Sequence, residues 1–143
     1  MSWSQLRKQM KTFLCEPLVK RLDFHLTSYR IDRKQEKLDL LGAPGRGWIT
    51  LDGKEIVNFA QPNPWGASNQ VEVDGVGLRQ DFYEVIRDYP QLSIEEALQS
   101  PNYLVQGFAV VDRRVGKKRL LRMNSEQLHP FVKMMYELRR STF

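Results

Sequence analysis

The sequence predicts an α+β fold, a small antiparallel meander of about three to four strands packed against N-terminal and C-terminal helices. Three observations carry this expectation. Asp52-Gly53 stands between two apolar segments, as a two-residue type I′ hairpin turn requires. Ser2-Trp-Ser-Gln5 and Ser93-Ile-Glu-Glu96 have the spacing of capping boxes, in which a hydroxyl and a longer polar side chain satisfy two free backbone donors. Apolar residues recur at helical spacing behind the first box and again beyond His129-Pro130.

After Ser2, the residues Leu6, Met10, Phe13 and Leu14 fall on one helical face, and Pro17 is expected to end the helix. Residues 22–29 alternate. Leu22, Phe24 and Leu26 share one face, and Asp23, His25, Thr27 and Tyr29 the other, the pattern of a half-buried strand. Residues 31–47 are polar and then glycine-rich, and read as a mobile loop. In an unbroken hairpin register, Leu51 opposes Lys54, Thr50 opposes Glu55, Ile49 opposes Ile56 and Trp48 opposes Val57. Ile49, Leu51 and Ile56 then share one face, and Trp48, Val57 and Phe59 the other. Both faces would be apolar, so the hairpin is either covered twice or offers one face to a partner.

Residues 60–80 read as irregular, with a short strand at 71–73. Residues 81–89 predict a helix capped by Asp81 and stopped by Pro90. The Ser93 box opens a short helix to about Gln99. Ser100-Pro101 supplies a cap and a first-turn proline for the next helix. Leu104, Phe108, Val111 and Val115 carry that helix forward to Gly116. The last helix starts near His129-Pro130, with His129 as its cap and Phe131, Met134 or Met135, and Leu138 facing inward. Residues 1–143 read as a single domain without internal repeats.

Composition narrows function mainly by exclusion. Lys and Arg total 22 against 17 Asp and Glu, a net charge of +5. That balance describes a globular chain with only a mild bias toward anionic partners. Residues 1–60 hold 11 basic and 7 acidic side chains, residues 61–100 hold 2 and 7, and residues 101–143 hold 9 and 3. An acidic middle therefore lies between two basic ends. The single cysteine, Cys15, excludes an intrachain disulfide framework and fits a reducing, cytoplasmic setting. No run is long or apolar enough for a membrane span or a signal peptide, so no membrane partner is expected.

Several quoted segments together resemble a family of small uncharacterised bacterial proteins. They are Phe24-His-Leu-Thr-Ser-Tyr-Arg30, Gly45-Arg-Gly-Trp-Ile-Thr-Leu-Asp-Gly-Lys-Glu-Ile56 and Leu92-Ser-Ile-Glu-Glu-Ala-Leu98. Val111-Asp-Arg-Arg-Val-Gly-Lys-Lys-Arg-Leu120 and Leu128-His-Pro-Phe-Val-Lys-Met-Met-Tyr-Glu-Leu-Arg139 extend the likeness to most of the chain. The resemblance implies a bacterial, cytoplasmic protein and brings no catalytic or binding residue with it.

Two surfaces are candidates for binding. Arg113, Arg114, Lys117, Lys118, Arg119 and Arg122 place six cations in ten residues with no acid among them. Such a cluster suits phosphate oxygens and points to nucleic acid or another polyanion. The same cations also suit helix carbonyl ends or pairing with the acidic middle. The second surface is the Trp48, Val57 and Phe59 face of the hairpin. Aromatic residues are enriched at protein interfaces and can also stack on bases. With no cation read on that face, a protein partner is the favoured expectation and nucleic acid the alternative.

Enzyme chemistry has weaker signals. Cys15 with His25 has the residue types of a nucleophile and base, with Asp23 on the His25 face. His25 and His129 lack a close second ligand of metal-site spacing. Gly75-Val-Gly77 lacks the third glycine of a dinucleotide fingerprint, and the glycines at 42–47 lack the Lys-Ser/Thr of a P-loop. Glu95 and Glu96 are explained by the helix dipole. No cofactor is expected, and a non-enzymatic interaction module is the leading expectation.

Overall fold

A computed structural model describes residues 1–28, 45–60 and 79–143. It is α+β, with three strands and seven α-helices among the described residues. Helix α1 spans Trp3–Lys11 and carries the complete Ser2–Gln5 capping box. It ends at Thr12, well before Pro17. That proline instead occupies the first turn of a short second helix, α2, Glu16–Val19, where its missing N–H costs nothing.

Strands β1 (Leu22–Ser28), β2 (Gly45–Leu51) and β3 (Lys54–Ala60) form an antiparallel sheet in that order. Asp52 and Gly53 both have positive φ, 52° and 81°, which a type I′ turn demands of its two central residues. The predicted pairs Leu51–Lys54 and Thr50–Glu55 form, but beyond them Ile49 pairs with Val57 and Trp48 with Asn58. Ile56 is thus an extra residue on β3, a bulge that reverses which side chains share a face. Val57 and Phe59 therefore point into the core with Ile49, and Trp48 lies on the opposite side. The two-sided apolar hairpin is corrected to a sheet with one buried and one largely polar face. Strand β2 also begins inside the segment read as a mobile loop. Residues 31–44, most of the irregular stretch at 60–80 and the strand at 71–73 lie outside the described residues.

The buried sheet face meets an aromatic cluster. Phe59 stacks on Phe82 with ring centroids 4.5 Å apart, and Phe24 meets Phe108 edge-on at 5.8 Å. Phe82 belongs to α3, Arg79–Asp88, which starts before Asp81 and leaves that residue in its first turn instead of at its cap. A β-carbon at Gly47 would sit 2.8 Å from Phe82 Cε1 and nearer still to Cδ1. Only glycine lets strand and ring approach this closely.

After a single 3₁₀ turn at Tyr89–Gln91, helix α4 (Ile94–Leu98) carries the predicted Ser93 box. Helix α5 (Tyr103–Val110) is capped by Asn102, whose Oδ1 accepts from Leu104 and Val105, and not by Ser100. It stops at Val110, short of Gly116. Gly116 precedes helix α6, Lys117–Leu121. A second 3₁₀ turn, Ser125–Gln127, leads to α7, Pro130–Arg140. His129 caps α7 as predicted, its Nδ1 accepting from the Phe131 N–H at 3.1 Å. Helices α5 and α7 pack against each other, and Gly107 lies close against Phe131. The buried residues form one continuous hydrophobic cluster.

Candidate functional site

The basic segment folds largely onto the protein itself. Asp112 is 1 % exposed and accepts from the Tyr89 hydroxyl at 2.7 Å and from Arg114 Nη2 at 2.8 Å. Arg114 also donates to the Leu92 carbonyl and lies over the Phe13 ring at 4.7 Å. Burial, with the hydrogen bond to Asp112, pushes the Tyr89 phenol well above its ordinary pKa. Arg113 gives its backbone N–H to the Phe13 carbonyl and its Nε to that of Thr12. Arg119 forms a salt bridge with Glu95. That pair joins the basic tail to the acidic middle.

Arg139, buried at the inward side of α7, donates to the carbonyls of Asp112 at 2.8 Å and Val115 at 2.7 Å. Turn 111–116 is therefore fastened from three directions, by α7, by the Tyr89 region and by the chain after α1. These contacts account for Arg113, Arg114 and Arg119 structurally. Lys117, Lys118 and Arg122 stand exposed on or next to α6, with Lys117 over the Phe143 ring at 5.3 Å.

The outer sheet face carries a different arrangement. Register places His25 of β1 opposite Trp48 of β2, and the rings stack 5.0 Å apart at 15°. Arg46, two residues before Trp48 and so on the same face, lies over the indole at 4.0 Å. The expectation of a cation-free Trp48 face is thus corrected. Arg46 is held by a salt bridge to Glu55 and a hydrogen bond to Asn58. His25 Nε2 is 2.9 Å from Thr50 Oγ1, and burial lowers the histidine pKa.

Beside this stack, a cleft of about 320 Å³ runs between α1 and β1, lined by Trp3, Ser4, Arg7, Phe24, His25, Leu26 and Trp48. Arg7 closes one end through a two-pronged bond to Asp23, with Nε to Oδ1 at 2.6 Å. That guanidinium holds the Asp23 carboxyl down at about 2. Trp3 and Arg7 are parts of this surface that sequence reasoning missed. Both belong to a helix whose amphipathic signal named only its buried side.

Of the hairpin residues proposed for binding, the structure leaves Trp48 half-buried on this face, while Val57 and Phe59 are 2 % and 0 % exposed in the core. Cys15 and His25 do not meet. Cys15 sits in the core cluster with its thiol pKa raised by burial, and His25 is on the far side of β1 with Thr50. Among the described residues, no three His, Cys, Asp or Glu side chains gather as a metal site would.

A larger groove, about 480 Å³, opens between α3 and the start of α5. Its floor is apolar, with Val85, Leu92, Leu104 and Val105, and Asp81, Glu84 and Asp88 form one wall. Their spacing of three and four residues sets them in one stripe of α3. That stripe is visible in the sequence once the helix is known to begin at Arg79.

Among the described residues, no helix is long and apolar enough to cross a membrane. No curated protein and no solved structure is similar enough to the chain to count as a match. The sequence pattern of one family covers residues 2–72 and 65–140, so nearly every element described above falls within it: the chain belongs to the SF0329 protein family.

Proposed function

We propose that this chain is a non-enzymatic interaction module that binds a protein partner through the outer face of its sheet, in a bacterial cytoplasm. The observation that carries the reading is the half-exposed Trp48, stacked with His25 and overlaid by Arg46, at the mouth of the Trp3–Arg7 cleft. Tryptophan and arginine are the side chains that most often anchor interface centres. Both are held in place here before any partner arrives, which lowers the ordering cost of association. The arginines on this face are paired, Arg46 with Glu55 and Arg7 with Asp23, which Lys11 also reaches at 4.0 Å. An aromatic surface whose arginines are already paired suits a protein better than a polyanion.

Binding of nucleic acid through residues 113–122 draws less support, because Arg113, Arg114 and Arg119 are engaged inside the chain.

The test is affinity capture from bacterial lysate, with and without nuclease, using the wild type and Trp48→Ala. Trp48 lies outside the core cluster, so the variant is expected to keep its far-UV circular dichroism. Captured protein should survive nuclease and be lost from Trp48→Ala. Recovery of nucleic acid alone, or capture indifferent to Trp48, refutes the reading.

A further inference from the structure

The groove beside α3 and the exposed side of α6 are complementary in charge, and each carries an apolar element. Asp81 and Glu84 are exposed along one wall of the groove, followed by Asp88 in an ion pair with Arg87, above a floor that includes Val85, Leu104 and Val105. On α6, Leu121 is 50 % exposed, and among the described residues it is the one strongly exposed large apolar side chain away from the chain ends. Lys117 and Lys118 lie one helical turn before Leu121, and Arg122 follows it, all exposed. A leucine ringed by cations is the counterpart of an apolar floor walled by carboxylates. Each molecule carries both halves.

We propose that a second copy of this chain docks here, seating Leu121 on the apolar floor with Lys118 and Arg122 against the carboxylate wall. The occupant follows from complementarity on one chain. Wherever the protein is concentrated, the groove meets the basic ridge of α6 at the same concentration. Reciprocal exchange of ridge and groove between two copies about a two-fold axis would close the assembly as a dimer. Leucine burial supplies the non-directional part of the attraction, and the charges set orientation and rate of encounter. This surface is distinct from the Trp48 face, so the two readings stand or fall separately.

Sedimentation velocity of the full chain tests the proposal, run at about 0.1 mM protein in low salt and again at about 0.5 M salt, where exposed charge pairs are screened. A dimer is expected at low salt, with its dissociation constant weakened about tenfold or more at high salt. Leu121→Ser, Glu84→Lys and Lys118→Glu should each shift the equilibrium to monomer while leaving circular dichroism unchanged, since all three side chains are exposed. An equimolar mixture of Glu84→Lys and Lys118→Glu should associate again. In that mixture one contact pairs an intact ridge with an intact groove, and the other pairs reversed charges. A chain that is monomeric at low salt, a dimer untouched by these substitutions, or a mixture that stays monomeric overturns the proposal.

Discussion

Replacing Gly107 by alanine should destabilise this protein, although the same change in most helices is stabilising. Gly107 lies inside α5, where alanine gains about 1 kcal/mol over glycine from backbone entropy and propensity. Here the new methyl would sit 2.6 Å from Phe131 Cδ1 and closer still to Cε1. Ordinary carbon contacts lie near 3.5–4.0 Å, so ring and helix must part by about 1 Å.

Phe131 is enclosed by the core. It is fully buried, and it meets Phe108 edge-on at 5.9 Å and Phe59 at 6.0 Å. Overpacking of this kind costs about 1–3 kcal/mol or more, and two fixed aromatic neighbours place this site at the upper end. Set against the propensity gain, the expected net loss is about 1–2 kcal/mol. Urea denaturation of Gly107→Ala should show a lower midpoint with an unchanged slope, since the surface exposed on unfolding is the same. Adding Phe131→Leu should make room for the new methyl, giving a favourable coupling of about 1 kcal/mol in the double-mutant cycle. A Gly107→Ala protein as stable as the wild type would refute the packing argument. So would a cycle with no coupling.

Two further outcomes follow from the polar contacts. Because Asp23 is held at about 2 in the folded state, below its unfolded value, its contribution is complete above about pH 4 and lost as pH falls toward 2. After allowance for the partly exposed Arg7, about 1–2 kcal/mol is at stake. Acid unfolding of Asp23→Asn should therefore lose that part of its dependence on pH between 4 and 2, and a curve parallel to the wild type would contradict it. Asp112→Asn should cost about 2–4 kcal/mol by equilibrium denaturation, because it leaves the Arg114 guanidinium and the Tyr89 hydroxyl without their shared carboxylate. A loss under about 0.5 kcal/mol would show that the network is dispensable.

Local signals were the legible part of this chain. Asp52-Gly53 became the type I′ turn, Ser2 and Ser93 became complete capping boxes, and His129 capped the last helix. Each is decided within about four residues, where backbone conformation and one side-chain bond dominate. Errors arose where a local pattern had more than one continuation. The apolar series through Val111 and Val115 reads as one helix to Gly116. Instead the chain turns at residues 111–116, because Arg139, 24 residues beyond Val115, binds the carbonyls of Asp112 and Val115. The hairpin register failed for a related reason. An unbroken ladder would hold Phe59 beside Trp48, whereas a bulge at Ile56 places it on Phe82 in the core.

By itself, then, the sequence determined the α+β class, the turn and the capped starts of α1, α4 and α7, because short-range hydrogen bonds and apolar periodicity encode them. Only the tertiary structure decided which aromatic residues stayed at the surface and which cations were already engaged. Val57 and Phe59 vanished into the core, Trp48 emerged with Arg46 over it, and Arg119 closed on Glu95. A side chain's availability depends on every element packed near it. Partners 24 residues apart along the chain, as Arg119 and Glu95 are, lie beyond what spacing or charge counts can encode.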